Sequence, residues 1–166
     1  MKLYLIRHSN AVELSAEEYE DDSQRPLTEK GCEKMETITS ALKALGMKPD
    51  LIVSSPYVRA RQTAEILAQG LKYKAEIEIN EALIPLGEAD GIVGEINEKY
   101  MVEELVLVGH EPSLSTLIGM LTAGNAEMAL TMKKGGVCCL LVDDLRIERR
   151  ATLEWLLTPK ILSALS

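Results

Sequence analysis

The 166-residue chain has no long apolar run, its apolar stretches being only a few residues each. That is far short of the ~18–20 residues that span a bilayer, so no transmembrane helix is available. Its first segment, Met1-Lys2-Leu3-Tyr4-Leu5-Ile6-Arg7, meets a charge after four apolar residues, too early for a signal-peptide core. A cytoplasmic protein is therefore expected. Basic residues are scarce as well: 18 Lys and Arg against 26 Asp and Glu give a net charge of −8. This balance argues against a broad nucleic-acid-binding surface.

Cysteine is equally sparse, with three residues and an odd count, so a disulfide framework is not indicated. None of the three begins a C-x-x-C pair, and the positions six residues after them are Ile38, Asp144 and Leu145 rather than Arg. Zinc knuckles and the cysteine-dependent phosphatase loop are thereby removed. The cysteines read as small buried hydrophobes, and the neighbours Cys138 and Cys139 should point to opposite faces of a strand. P-loop, D-x-D-x-[TV] and carboxylate-cluster signatures are also missing.

What is present is an alternation of strands and helices. Leu3 to Ile6, Leu51 to Val53, Ala75 to Ile79 and Leu105 to Val108 read as strands. Between them, Thr28 caps a helix with apolar positions Met35, Ile38, Leu42 and Leu45, ending at Gly46. A second helix runs from about Tyr57 to Ala68 with Gly70 as its stop, and a short one occupies Ile92 to Tyr100. Glu81 to Gly91, with Pro85 and two glycines, reads as a loop, and another helix follows from Pro112. Val137 to Val142 and Ala151 to Leu157 then form an adjacent antiparallel pair with which the chain ends. No repeat, low-complexity tract or linker interrupts residues 1–166, so a single α/β domain is expected. It should be a three-layer α/β/α sandwich with a mainly parallel central sheet, an antiparallel strand near the C-terminus and no large cap insertion.

In open α/β sheets, ligands bind at the carboxyl ends of the strands. Only two histidines occur, His8 and His110, and each directly follows a predicted strand. With Arg7 and Arg59 they gather cationic donors where an anion could sit, in a chain with excess acid. Arg59 stands in a helix's first turn, where the dipole disfavours a cation unless an anion is also there. By contrast, Arg61 is two positions on and points elsewhere. Arg146, Arg149 and Arg150 form a basic cluster that reads as a solvated turn, or functionally as a dock for an acidic partner.

Three segments carry a family resemblance: Leu5-Ile6-Arg7-His8, then Ser54-Ser55-Pro56-x-x-Arg59-Ala60-x-Gln62-Thr63-Ala64-Glu65, then Val108-Gly109-His110-Glu111-Pro112. Their order and content resemble the signature stretches of the histidine phosphatase, or phosphoglycerate mutase-like, superfamily. The short length, the small insertion between Glu81 and Glu104 and the Leu83-Ile84-Pro85 turn resemble its SixA-type phosphohistidine phosphatase branch.

The resemblance implies that His8 is the nucleophile, forming a phosphohistidine intermediate that water hydrolyses, with Arg7, Arg59 and His110 gripping the phosphoryl oxygens. It implies no metal and no cofactor. Glu81 lies where relatives that cleave phosphomonoesters place the general acid, with Glu88 and Asp90 as alternatives in the same loop. Ser9 stands where the first motif usually has Gly, and Asn10 where this branch often has an acid. Ser9, Asn10 and Ser54 are accordingly candidate phosphate contacts. The expected substrate is a phosphohistidine-bearing protein, such as a phosphotransfer domain or phosphocarrier, met by a monomer through an open site. Small phosphate monoesters and a weakly active phosphoprotein-binding module are the alternatives.

Overall fold

The computed structural model describes residues 1–15, 19–100, 102–126, 128–143 and 151–166. The basic cluster of Arg146, Arg149 and Arg150 lies outside them. Among the described residues, six strands form one sheet: β1 (Lys2–Arg7), β2 (Leu51–Ser54), β3 (Glu78–Ile79), β4 (Glu104–Gly109), β5 (Val137–Val142) and β6 (Ala151–Leu157). Their spatial order is β3-β2-β4-β1-β5-β6. The first four run parallel, and β5 and β6 each pair antiparallel with their neighbour, as the sequence led us to expect.

Five helices flank this sheet: α1 (Glu29–Ala44), α2 (Val58–Leu71), α3 (Ala89–Glu98), α4 (Ser113–Ala123) and α5 (Pro159–Ala164). Because side chains alternate along a strand, each strand feeds two cores. Leu3 and Leu5 pack with Ile92, Ile96, Leu114 and Ile118 of α3 and α4. Tyr4 and Ile6 pack with Met35, Ile38, Ala64, Leu67 and Leu162 of α1, α2 and α5. Cys138 joins the first core and Cys139 the second, so the adjacent cysteines do face opposite ways.

Local signals place several boundaries. The Thr28 side chain accepts a hydrogen bond from the Gly31 amide at 3.0 Å and starts α1, whose end is followed by Gly46 at φ +86°. Gly70, however, does not stop α2. The helix passes through it to a left-handed Lys72 at φ 59°. A Cβ at Gly70 would meet Thr39 Cγ2 at 2.5 Å, so this glycine serves the close approach of α1 and α2 instead.

Three further expectations change. The third strand shrinks from Ala75–Ile79 to Glu78–Ile79, which pair only with Val53 and Ser54 at the carboxyl end of β2. Helix α3 begins at Ala89 inside the expected loop, its apolar Ile92, Val93 and Ile96 being buried despite two glycines. The chain ends on α5 rather than on a strand, capped by Thr158 with Pro159 at its start.

Gly31 gives a test of how tightly the first motif loop is packed. A Cβ there would fall well inside van der Waals contact of the Asn10 carbonyl oxygen, which already accepts the Thr28 amide at 2.9 Å. Ala is preferred over Gly in a helix by about 1 kcal/mol, but forcing atoms into a packed site costs about 1–3 kcal/mol. Gly31→Ala should therefore lower the urea midpoint of unfolding. A raised midpoint would show that the loop yields freely.

Candidate active site

The carboxyl ends of β1, β2 and β4 lie side by side, and the three motif loops are tied there by the main chain. Arg7 pairs with Gly109 across β1 and β4. The His8 amide then donates to the Gly109 carbonyl at 3.0 Å, and the Ser55 amide to the Val108 carbonyl at 2.9 Å. This register carries both histidines off the sheet at one level, with ring centroids 5.0 Å apart.

Arg7, His8, Arg59 and His110 line one cavity of about 300 Å³. Asp22, Arg25, Pro85, Glu111 and Lys134 complete its wall. His8 Nδ1 lies 2.6 Å from the Ser9 carbonyl oxygen, which can only accept, so Nδ1 carries the proton. That leaves the Nε2 lone pair free to accept from Arg59 Nε at 3.2 Å. Burial, then Arg59, Arg7 and Lys134, drive the His8 pKa down to about 3, against the partial opposition of the Ser9 hydrogen bond. The imidazole is thus neutral at pH 7 with its lone pair held in a fixed direction, as nucleophilic attack requires.

His110 is held comparably. Its Nε2 lies 2.9 Å from the Ser55 hydroxyl, whose oxygen also accepts the Tyr57 amide at 3.3 Å. Tyr57 packs edge-on against the His110 ring at 5.0 Å and carries the Arg59 guanidinium at the same distance from its centroid. Burial, with His8 and Arg59 adding to it, pushes His110 down to about 2.

Two buried side-chain polar atoms have no partner among the described residues, Arg7 Nε and His110 Nδ1. Both residues line this cavity. An unpaired buried polar group costs about 1–3 kcal/mol, so two at one place suit this cavity to a polar ligand. Arg7 is otherwise anchored by Nη1 donating to the Met132 carbonyl at 2.6 Å. Burial and Arg59 draw its pKa below the ordinary arginine value, Glu111 partly opposing.

Sequence reasoning missed Asp22. It sits in a 3-10 turn, Asp22–Gln24, and is gripped from two sides. Arg59 Nη2 donates to its Oδ2 at 2.8 Å and Nη1 to its carbonyl at 2.6 Å, while Arg25 Nε reaches Oδ1 at 2.7 Å. Burial pushes the Asp22 carboxyl up, but the two arginines outweigh it and hold the pKa below the usual carboxylate value. Ser55, although inside the second motif, was likewise not assigned a role. The charged turn Asp22-x-x-Arg25 is the one local sign of either arginine contact.

Four sequence candidates are not brought to the cavity wall. The Ser9 hydroxyl donates to the Gly31 carbonyl at 2.7 Å and its amide to Thr63 Oγ1 at 3.1 Å, so it knits the loop to α1 and α2. Ser54 donates to the Ser55 carbonyl at 2.9 Å and is fully buried. Asn10 accepts from Lys34 Nζ at 2.9 Å through Oδ1. Glu81 opens a second 3-10 turn, Glu81–Leu83, and is exposed, and Glu88 and Asp90 lie by the start of α3. From that loop it is Pro85 that reaches the cavity, its carbonyl held by Ser113 Oγ at 2.7 Å.

Fold and cavity together define a class: a mainly parallel α/β sheet presenting a neutral, oriented imidazole among arginines. The comparisons agree. The profile of the histidine phosphatase superfamily (branch 1) matches residues 3–113, and the chain belongs to that family. It is 34% identical over 150 residues to an uncharacterised protein of Picosynechococcus sp., covering 89% of each chain. It is 25% identical over 162 residues to the phosphohistidine phosphatase SixA of Escherichia coli, covering 96% of this chain and 94% of that one. Among solved structures, the protein histidine phosphatase SixA complexed with tungstate superposes with a TM-score of 0.85 at 23% identity, over 96% and 98% of the two chains. The alpha-ribazole phosphatase of Shigella flexneri does so at 0.77 and 18%, over 96% and 97%.

The two depressed imidazoles have a measurable consequence. Between about pH 3 and the ordinary 6.5, the unfolded chain binds protons that native His8 and His110 refuse, so stability rises with pH across that window. His110→Asn should flatten the slope of unfolding free energy against pH there by about 1 kcal/mol per unit. An unchanged slope would mean that His110 titrates as an ordinary histidine.

Proposed function

We propose that the protein is a metal-independent phosphatase that removes the phosphoryl group from phosphohistidine displayed on a partner protein. The observation that carries this reading is the state of the cavity's carboxyl groups. Asp22 is tied to two arginines with its pKa depressed, and Glu111 accepts from the Ser115 hydroxyl at 2.7 Å and amide at 3.2 Å. Glu81 does not line the wall. Among the described residues, then, no carboxylic acid stands ready to protonate a basic leaving oxygen, as cleavage of an alkyl phosphate wants. A phosphorylated imidazole needs no such help, because with its distal nitrogen protonated it departs as a neutral ring.

In this mechanism Arg59 Nε gives up its hydrogen bond to His8 Nε2 as the phosphoryl group enters, and the freed lone pair attacks phosphorus as the substrate's P–N bond breaks, leaving a phosphoryl group on His8. Water then attacks that phosphorus, releases inorganic phosphate and restores the Nε2 lone pair. Arg7, Arg59 and the Nδ1–H of His110 receive the equatorial oxygens, where charge accumulates. His110 acts here in the tautomer with its proton on Nδ1, its Nε2 accepting from the Ser55 hydroxyl. Similarity to SixA over nearly the full chain supports the same substrate class.

The test is phosphate release, with chelator present, from phosphohistidine-bearing phosphotransfer proteins and from a panel of small phosphate monoesters. Wild type should prefer the protein substrate and His8→Ala should release nothing. Preference for a monoester, or a rate that survives His8→Ala, would overturn the assignment. Arg59→Ala should cut the rate about 100- to 1,000-fold, the usual effect of removing one oxyanion donor, and weaken vanadate inhibition in parallel.

A further inference from the structure

Outside the four phosphoryl-site residues, the lip of the cavity holds a pair of lysines that the mechanism does not use. Lys134 lines the wall, and Lys34 approaches it from α1. Lys34 Nζ donates to the Lys134 carbonyl at 2.7 Å and to Asn10 Oδ1 at 2.9 Å, so its ammonium is fixed with one N–H to spare. Lys134 rides on a turn hung from the nucleophile's own backbone, since the Gly135 amide lies 3.1 Å from both the Arg7 and His8 carbonyls. Gly135 adopts φ +82°, and a Cβ there would meet Ile38 Cδ1 at 2.9 Å and Lys34 Cε at 3.3 Å. The Lys34 stem lies against this glycine, so its ammonium keeps station relative to His8, while Lys134 presents an exposed side chain from the same turn.

This arrangement is electrostatically unfavourable as it stands. Burial first, then the neighbouring cations Lys134 and Arg7, lower the pKa of Lys34. No carboxylate pairs with Lys34 or Lys134 among the described residues. In a chain of net charge −8, acid is plentiful, yet among the described residues the cavity's carboxylates are committed elsewhere, Asp22 to Arg59 and Arg25 and Glu111 to Ser115.

We propose that Lys34 and Lys134 form a second anion subsite at the lip of the phosphoryl cavity, which takes an acidic side chain of the phosphohistidine-bearing protein. The inference rests on the function proposed above and narrows it: the enzyme selects phosphohistidines displayed among Asp or Glu. A carboxylate there relieves the repulsion between lysines and Arg7, and it also offsets the repulsion that an acidic partner meets from the rest of this acidic molecule.

The experiment uses two peptides that differ only in the residues flanking phosphohistidine, Glu in one and Gln in the other. Each is also made with a hydrolysis-resistant phosphonate analogue so that Kd is read without turnover. Wild type should bind the Glu peptide about tenfold more tightly at low salt, with the advantage appearing in KM rather than kcat and shrinking in 0.5 M salt. Lys34→Gln/Lys134→Gln should bring the two Kd values within about twofold of each other. Lys134→Gln alone, which leaves the Lys34 anchor to the backbone in place, should lose most of the preference, and Lys34→Arg should retain it.

Equal Kd values in wild type, or a preference that survives the double substitution, would overturn the subsite. So would a double variant that weakens both peptides equally, because the lysines would then serve the phosphoryl site alone. If the Kd preference holds while neither phosphohistidine peptide is hydrolysed, the subsite stands and the proposed reaction fails.

Discussion

The parallel ladder between β1 and β4 is the constraint on which the site depends. Pairing Arg7 with Gly109, and the His8 amide with the Gly109 carbonyl, makes two loops 100 residues apart leave the sheet at the same height. A shift of one residue would send His8 or His110 to the opposite face. The ladder is secure because Leu3, Leu5, Leu105 and Leu107 are buried in one core while Tyr4, Ile6, Val106 and Val108 are buried in the other. Apolar burial on both faces thus sets the spacing of two polar rings.

On that frame the molecule holds an electrostatic arrangement it would not adopt for stability alone. Two imidazoles are kept neutral by burial beside two arginines, and Arg7 Nε and His110 Nδ1 are left without partners among the described residues. Water excluded from such a place strengthens whatever anion enters it. Strain is confined to the cavity because its supports are satisfied elsewhere: Ser9 to Gly31, Ser55 to Tyr57, Ser113 to the backbone of Ile84 and Pro85.

Asp22 modifies this picture. It neutralises part of Arg59 and engages both terminal nitrogens of the guanidinium, yet its own acidity is raised by the same contact. A carboxylate so held orients an arginine well and donates a proton poorly. Arg59, which would bind phosphate, therefore also bears on which leaving groups the site can serve.

The alternation of strands and helices, the two-faced β5 and the Thr28 cap were legible because each is written in local periodicity or in a capping residue. So were Arg7, His8, Arg59 and His110, since a loop that follows a buried strand must emerge at its carboxyl end. Other features were decided only by the tertiary structure. Gly70 looked like a helix stop until the packing of Thr39 showed it to be a point of contact between helices. Ser9 and Ser54 looked like phosphate ligands, but their hydroxyls found backbone carbonyls. The Asp22–Arg59 pair spans 37 residues and the Lys34–Lys134 contact 100. Hydrophobic pattern is a property of neighbours in the chain, whereas the partner of a charge is chosen by which loops the sheet order brings together.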